Sequence, residues 1–428
     1  MKAQCKTAET PTKNSVFIDS WKLPLLIFVL AAFLRLWGAF DLNEYLEDEA
    51  IQVPNAISLG TYGTTENWHW HHPHAGYLLM YSTIKMFGNN PVGWRSSNVM
   101  CGTLSVVLIF MVARLLYPKT AVPVISAALL AFDPYHIYLS RNTYTEIPVT
   151  FFFLLYLYLA LEYTENKKAT LPLAGIAMGF TMATKGYFVL AIPLVILFVL
   201  FRIRQQQGFN RHTIFDCIAS LVLLPVAIYL LSYIQWFSRG YTLPEFINMK
   251  LDALWELKTI TTNRFVNHTA LEASGKPWEW FLKPIFWGHQ RLINSEEGRF
   301  LFHSNNIPFR LLVLPSITAT SIYAIKNRLS TQILVPMLFI SCYLLLILAQ
   351  RPMFSYSSIP LLPFAYISVA FAVITSCKKI AKEQYVYSSF LVLIILWVIY
   401  MFPLISGQAV SLERVRPLIS IARYIGTF

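Results

Sequence analysis

Three cations stand beside apolar runs where the flanking residues would not call for charge: Arg141 in LSRNTYTEIP, Lys185 in ATKGYF and Arg351 in AQRPMFSYSS. An ionised group at membrane depth is costly and usually marks a ligand or a pathway. Three such cations on one face could neutralise a lipid phosphate, although interfacial snorkelling accounts for any one of them alone. Acidic residues occur in the same kind of place. Glu47, Asp48 and Glu49 follow the first apolar run, and Glu146 opens a later one in YTEIPVTFF. A carboxylate held at a membrane surface can take the proton of an attacking hydroxyl, as a general base does. In a solvated loop the same residues are ordinary surface charge. Glu146 carries more, because a helix N-terminus there offsets its charge. It could position an acceptor, bind a metal or pair with Arg141. The run His69, His71, His72 and His74 invites a metal reading, but this spacing matches no recognised zinc site. A histidine donating to a phosphate or sugar oxygen is the better use. Trp68 and Trp70 suit an interfacial belt as well as a stacking surface.

These residues need a frame, and composition supplies it. The chain has 428 residues, 56% hydrophobic and 13% charged, with a mean hydropathy of +0.51. Soluble domains carry about a quarter of their residues as charge. Apolar runs near the length of a membrane crossing recur along the whole chain. They fall at roughly 21–40, 96–116, 121–134, 145–163, 171–184, 187–203, 214–234, 308–325, 331–349, 358–376 and 386–404. The net charge of +12 does not indicate nucleic acid, because the basic residues lie between these runs, where they set orientation and meet anionic lipid. Cys5, Cys101, Cys217, Cys342 and Cys377 are scattered, with no CxxC spacing, so neither a disulfide framework nor a thiolate metal site is expected.

Basic residues in the loops test the orientation. With residues 1–20 as a cytoplasmic tail, every second loop is also cytoplasmic. Those loops hold Arg114 and Lys119; Lys167 and Lys168; Arg202, Arg204 and Arg211; Lys326 and Arg328; and Lys378, Lys379 and Lys382. Eleven spans therefore form a consistent count, although 121–134 and 171–184 are short for a full crossing and could be tilted or broken. The first run lacks a small-residue cleavage site after it and reads as a retained helix. The expected organisation is the tail 1–20, a membrane domain 21–405 and a short tail 406–428. Two outer stretches are too polar to span, about 41–94 and 235–306. In the first, Glu47–Leu59 and 75–87 pattern as interfacial helices. NHT at 267–269 in the second matches the N-glycosylation acceptor pattern.

This arrangement resembles the class C glycosyltransferases of the protein O-mannosyltransferase and aminoarabinose-transferase superfamily, from about residue 20 to 375. Asp48 and Glu49 in LEDEA are similar to the family's Asp-Glu motif. His72-Pro73 in HHPHAGYLL resembles its His-Pro-Pro-Leu element, with His74 in place of the second proline. Arg95 in WRSSNVMCGTL matches the arginine that starts the second span. Arg141 and Glu146 match the arginine and acid before a later span, and Lys185 in TKG matches a donor-phosphate lysine. Arg351 and Tyr356, ahead of SIPLLPF, match the late loop that closes on the lipid phosphate. The segment SGKPWEWFLKP is similar to one in the outer loop of protein O-mannosyltransferases.

The resemblance implies an all-α integral membrane protein with the class C fold, about eleven transmembrane helices and interfacial helices in the first outer loop. It implies an inverting transfer of a sugar from a polyprenyl-phosphate donor to an acceptor hydroxyl on a protein, lipid or glycan. The active site would lie on the outer face of a plasma (inner) membrane. Asp48 would be the base, with Glu49 and Glu146 orienting acceptor or sugar. Lys185, Arg351, Tyr356 and His72 would hold the donor phosphate, and Arg95 and Arg141 would support the carboxylates. No cofactor is required by this chemistry, although Asp48 and Glu146 could hold a divalent ion. Larger relatives carry a further soluble domain; none is legible here, which leaves the acceptor open. The alternative from another class is a polytopic transporter or flippase for a lipid-linked or anionic substrate. Transporters commonly carry two related halves, and no such repeat is visible.

Overall fold

The structure, a computed structural model, describes residues 22–64, 72–165, 169–206, 208, 210–263, 276–283, 286–294, 296–327, 331–348, 354–377 and 383–424. The first apolar run forms α1 (Lys22–Leu36). The polar stretch 41–94 then holds two helices, α2 (Glu49–Tyr62) and α3 (Ala75–Phe87), within a residue or three of the predicted interfacial pair. Next come α4 (Pro91–Leu116), α5 (Val122–Ala131), α6 (Pro134–Ser140), α7 (Glu146–Thr164), α8 (Thr170–Thr184), α9 (Ala191–Gln206) and α10 (Arg211–Leu231). The second polar stretch holds α11 (Ile234–Ser238), α12 (Leu243–Asn263), β1 (Phe286–Leu292) and β2 (Glu297–Ser304). The remaining elements are α13 (Ile307–Lys326), α14 (Leu334–Leu348), a 3₁₀ turn Ser355–Leu361 running into α15 (Leu362–Cys377), α16 (Glu383–Ser406), β3 (Ala409–Ser411) and α17 (Leu412–Tyr424).

Helices occupy all eleven predicted apolar runs, but among the described residues not all of them reach the length of a full crossing. Six are long and apolar enough by themselves: α4, α7, α10, α13, the turn-plus-α15 segment and α16. The pair α5 and α6, bent by 58°, makes a seventh if it counts as one span. Helices α1, α8 and α14 have 15 residues each, a rise of about 22 Å against a hydrocarbon core of about 30 Å. The helices are accompanied by a sheet that the all-α expectation did not include. Strand order is β1-β2-β3, antiparallel throughout, with Glu297 opposite Ser411. Phe300 and Phe302 alternate into a small core with Met401, Leu404, Val410 and Val415. Alternation over so few residues is easily lost beside long apolar helices.

Burial separates the inner helices from the outer ones. The apolar windows of α4, α7 and the turn-plus-α15 segment are 67%, 72% and 78% buried, while those of α10 and α16 are 22% and 28% buried. The first three are the packed centre; the other two present most of their apolar surface outward, as lipid-facing helices do. Close approach is made possible by glycine. A Cβ at Gly102 of α4 would sit 2.1 Å from Ser140 Oγ, and one at Gly175 of α8 would sit 1.9 Å from the Ser220 carbonyl oxygen. Small residues at helix crossings serve this purpose in membranes.

The α5–α6 break is a built feature. A broken helix orphans carbonyls at one end and N–H groups at the other. Arg35, fully buried on α1, donates to the Leu130 and Ala131 carbonyls at 3.2 and 3.1 Å. Asp133 caps the new helix by accepting from His136 N at 2.6 Å, as a good N-cap residue does. This break redirects the chain so that residues 141–146 emerge at one end of the bundle, beside the first outer loop.

Candidate active site

Glu146 is the hub. It is the first residue of α7 and only 1% exposed. Its Oε1 accepts from Lys185 Nζ at 2.7 Å and from the Tyr187 hydroxyl at 2.7 Å. The Lys185 ammonium also donates to Thr145 Oγ1 at 3.1 Å. Lys185 ends α8 in extended backbone, and Gly186–Phe188 follow as a 3₁₀ turn. That turn brings Tyr187 back onto the same carboxylate. The Lys185 side chain stays 20% exposed. The pair is therefore anchored on its acidic side and open on its basic side. The ion-pair partner of Glu146 is Lys185, not the Arg141 that sequence spacing had offered.

A turn of serines closes the far side. Ser355, Ser357 and Ser358 each hydrogen-bond a different element: Tyr135 on α6 at 2.7 Å, Tyr187 at 2.9 Å, and Arg310 on α13 at 2.9 Å. Between them Tyr356 is held with its ring 5.1 Å from Tyr144 and 5.9 Å from Lys185 Nζ. Cation–π attraction reaches about 6 Å, so the lysine faces a half-circle of oxygen and π density. An anionic group entering there meets one cation and several hydroxyl donors.

The acidic loop forms the other half. Glu49 is fully buried and takes a two-pronged grip from Arg95, at 2.9 Å from Nε and 2.7 Å from Nη2. Arg95 spends its remaining donors on the carbonyls of Ala39, Leu42 and Glu44. Glu49 also accepts from Leu46 N at 3.1 Å. Both oxygens of Glu49 are thus occupied, and its place is in holding the loop. Asp48, one residue earlier, is half-buried, and its charge acts on Tyr77 and Tyr356, as does that of Glu146. The two carboxylates thus share one neighbourhood.

The other predicted residues are placed as follows. Arg141 is buried at the ends of α1 and α16. It donates to the Leu34 carbonyl at 3.2 Å, and its guanidinium lies 5.6 Å from the Phe402 ring. No contact joins it to the Glu146–Lys185 pair among the described residues. His72 is half-buried, and its carbonyl accepts from the Tyr233 hydroxyl at 3.2 Å. His74, where the family pattern has proline, is buried with its ring 4.1 Å from Tyr233. Burial first, and then the charge of Lys250, push its imidazole down to about 3, so it is neutral. Lys250 of α12 sits over the Tyr233 ring at 4.1 Å, and burial pulls its ammonium down to about 7. Arg351, His69, His71, Trp68, Trp70 and the NHT pattern lie outside the described residues. Among the described residues no group of three His, Cys, Asp or Glu side chains is arranged to hold a metal ion.

Tyr187, Tyr144 and the three serines were missed by residue type alone. Their signal is slight: a tyrosine two residues after Lys185 in TKGYF, another in the turn before Glu146, and a hydroxyl cluster in SYSSIP. Gly76 places α3 against the same corner: a Cβ there would meet Thr145 and Thr184 at 3.4 Å, ordinary van der Waals contact.

Comparison with known proteins agrees with this architecture. The family model for dolichyl-phosphate-mannose-protein mannosyltransferase matches residues 71–233. A polyprenol-phosphate-mannose–protein mannosyltransferase of Mycolicibacterium smegmatis is 26% identical over 332 residues, 63% of this chain and 64% of that protein. The chain therefore spans a little under two thirds of that relative. The Saccharomyces cerevisiae protein O-mannosyltransferase Pmt1-Pmt2 complex, bound to its sugar donor, superposes with a TM-score of 0.74 at 13% identity, covering 93% of this chain and 91% of that one. ArnT from Cupriavidus metallidurans, bound to undecaprenyl phosphate, superposes at 0.57 with 14% identity, over 94% of this chain and 73% of that one.

A multi-pass bundle with two helices between α1 and α4, and acids and a lysine gathered at one end, is the class C glycosyltransferase fold. The chain has that fold, matches the dolichyl-phosphate-mannose-protein mannosyltransferase family model over residues 71–233, and resides in a membrane.

Proposed function

We propose that this protein transfers a sugar from a polyprenyl-phosphate donor to an acceptor hydroxyl on the non-cytoplasmic face of the plasma (inner) membrane, with inversion. The observation that carries the reading is the half-open Lys185–Glu146 pair, with Tyr356 on one side and Asp48 acting on the same tyrosine.

The chemistry follows from charge. As the anomeric carbon–oxygen bond breaks, negative charge builds on the departing phosphate. A fixed cation there stabilises the transition state more than the ground state. Lys185 supplies that cation. Glu146 keeps it in place and, being anchored by Tyr187, does not follow it toward the phosphate. Asp48 takes the acceptor proton while the hydroxyl oxygen attacks from the opposite side. One displacement then inverts the centre. The prenyl chain would lie along the bundle in lipid, outside the polar corner. Arg351 is assigned to the phosphate on the family pattern alone. His72 is kept as a donor to phosphate or sugar, also on that pattern.

Support for the donor class comes from the relatives: the mycobacterial protein is named for a polyprenol-phosphate mannose, and the bacterial structure holds undecaprenyl phosphate. A mannosyl donor and a protein acceptor are the first pair to assay, since the relative with the long sequence match is named for both. The deciding experiment presents radiolabelled polyprenyl-phosphate mannose to membranes containing the protein, with Asp48→Asn as the control. Label in a chain-dependent product that Asp48→Asn abolishes supports the reading; equal label with and without the protein refutes it. The reading asks for no metal, so chelation by EDTA should leave turnover intact. A loss restored by a divalent ion would instead move Asp48 and Glu146 onto that ion.

A further inference from the structure

We propose that Glu47 and Tyr144 are positioning residues that set the carboxylate of Asp48 and tie it to the donor side of the site. This rests on the proposed polyprenyl-phosphate reading. The starting observation is backbone strain. Glu47 has φ of 51°, the left-handed region that a glutamate rarely enters. Strain of this kind persists only where surroundings impose it, and it collects at working sites. Here the surroundings are identifiable. The buried Tyr144 hydroxyl donates to Glu47 Oε2 at 2.6 Å, across 97 positions of sequence. One residue on, Glu49 N donates to the Leu46 carbonyl at 2.9 Å, and Ala50 N to the Glu47 carbonyl at 3.2 Å. The turn Leu46–Glu49 is thus clamped at both ends, by Tyr144 on Glu47 and by Arg95 on Glu49. Asp48 lies between the clamps, so its direction is set by both.

Tyr144 also belongs to the other half of the site. Its carbonyl accepts from Asn98 Nδ2 at 2.8 Å, which fixes its backbone to α4. Its ring packs 5.1 Å from Tyr356, whose own ring stands 5.9 Å from Lys185 Nζ. A single side chain therefore touches the tyrosine beside the phosphate-facing lysine with its ring and the residue before the base with its hydroxyl. A donor that shifts Tyr356 shifts the support of Asp48. Hydroxyl and ring can be removed separately, which separates the two duties.

The test measures kcat, donor KM and folded yield with a polyprenyl-phosphate sugar, wild type alongside. Tyr144→Phe keeps the ring and should lower kcat by roughly 10- to 100-fold, the scale of small misplacement in an active site, with donor KM unchanged. Tyr144→Ala should lose as much kcat and also raise donor KM, by roughly two- to tenfold for a lost aromatic pair. Glu47→Gly adopts the same backbone without strain but lacks the tether and the Tyr138 hydrogen bond as well, and should lose at least as much kcat as Tyr144→Phe. The double variant Tyr144→Phe/Glu47→Gly should lose no more than Glu47→Gly alone, because the Tyr144 hydroxyl acts through Glu47. Wild-type kcat in Tyr144→Phe overturns the proposal. So do multiplicative losses in the double variant, or a kcat loss fully matched by loss of folded protein. An inactive wild type overturns the donor reading, and this proposal with it; an active wild type with an equally active Tyr144→Phe overturns the coupling alone.

Discussion

Two carboxylate–cation pairs sit at the same end of this bundle and are built oppositely. Glu49–Arg95 is dry on both sides, at 0% and 1% exposure, while Glu146–Lys185 is dry on the acid and 20% exposed on the base. In the first pair every guanidinium hydrogen bond goes to an internal acceptor, two to the carboxylate and three to backbone carbonyls. In the second, the cation keeps a face toward the outside and a tyrosine ring on either side. A buried pair whose valences are all used can organise a loop but has nothing left for a substrate. A half-open pair can meet an anion without the cost of being dried. The geometry makes Glu49 a brace and leaves the half-buried Asp48 for the base role proposed above.

The strongest way to break this contrast is on the dry side. Arg95→Ala leaves Glu49 buried without its partner, which costs about 3–5 kcal/mol. The expected result is a protein that fails to fold or elutes as aggregate in detergent. A monodisperse Arg95→Ala protein with wild-type melting would show that Glu49 can reach water and that the brace is not needed. Next in size is Asp48→Asn, which should fold and bind the lipid donor but turn over about 10²–10⁴-fold more slowly, the usual span for a lost general base. Wild-type turnover there would remove Asp48 from that role.

Lys185→Met should behave unlike Arg95→Ala. Loss of one charge-assisted contact of about 1.5–3 kcal/mol weakens donor binding by roughly 10- to 100-fold. Thermal stability should also fall, by less than in Arg95→Ala, because the buried Glu146 loses its cation but keeps the Tyr187 hydrogen bond. Unchanged affinity for polyprenyl phosphate, measured by tryptophan quenching, would move the phosphate elsewhere. The smallest effect is at Lys250. Its folded value of about 7 lies below the unfolded value of about 10.4. The unfolded chain therefore binds more protons across that window, and stability rises with pH from about 7 to about 10.4. Melting temperature should climb slightly between pH 7 and 9, and Lys250→Met should flatten the climb. An equal slope in both proteins would assign it to other groups.

Much of the frame was legible without coordinates. Eleven apolar runs predicted eleven helices because burying backbone in lipid leaves the chain little else to form. The interfacial helices were visible from their amphipathic spacing. Lys185 and Glu146 stood out because charge next to an apolar run has an obvious cost. Tyr144, Tyr187 and Ser357 did not stand out, since a tyrosine or serine near a helix end has many ordinary uses. The three-stranded sheet was hidden for a related reason: β3 is three residues long and pairs with a strand more than 100 positions away.

By itself, the order of residues determined that this chain lives in a membrane and where its apolar helices fall. Those are consequences of transfer free energies, and they accumulate residue by residue along the chain. Only the tertiary structure decided which acid meets which base. Arg141 goes to the ends of α1 and α16, Lys185 goes to Glu146, and Arg95 closes on Glu49. Pairing of this kind depends on a 58° break in one span and on glycines that let helices approach. Neither the direction of a bend nor the depth of an approach is additive along a chain, so neither can be read from it.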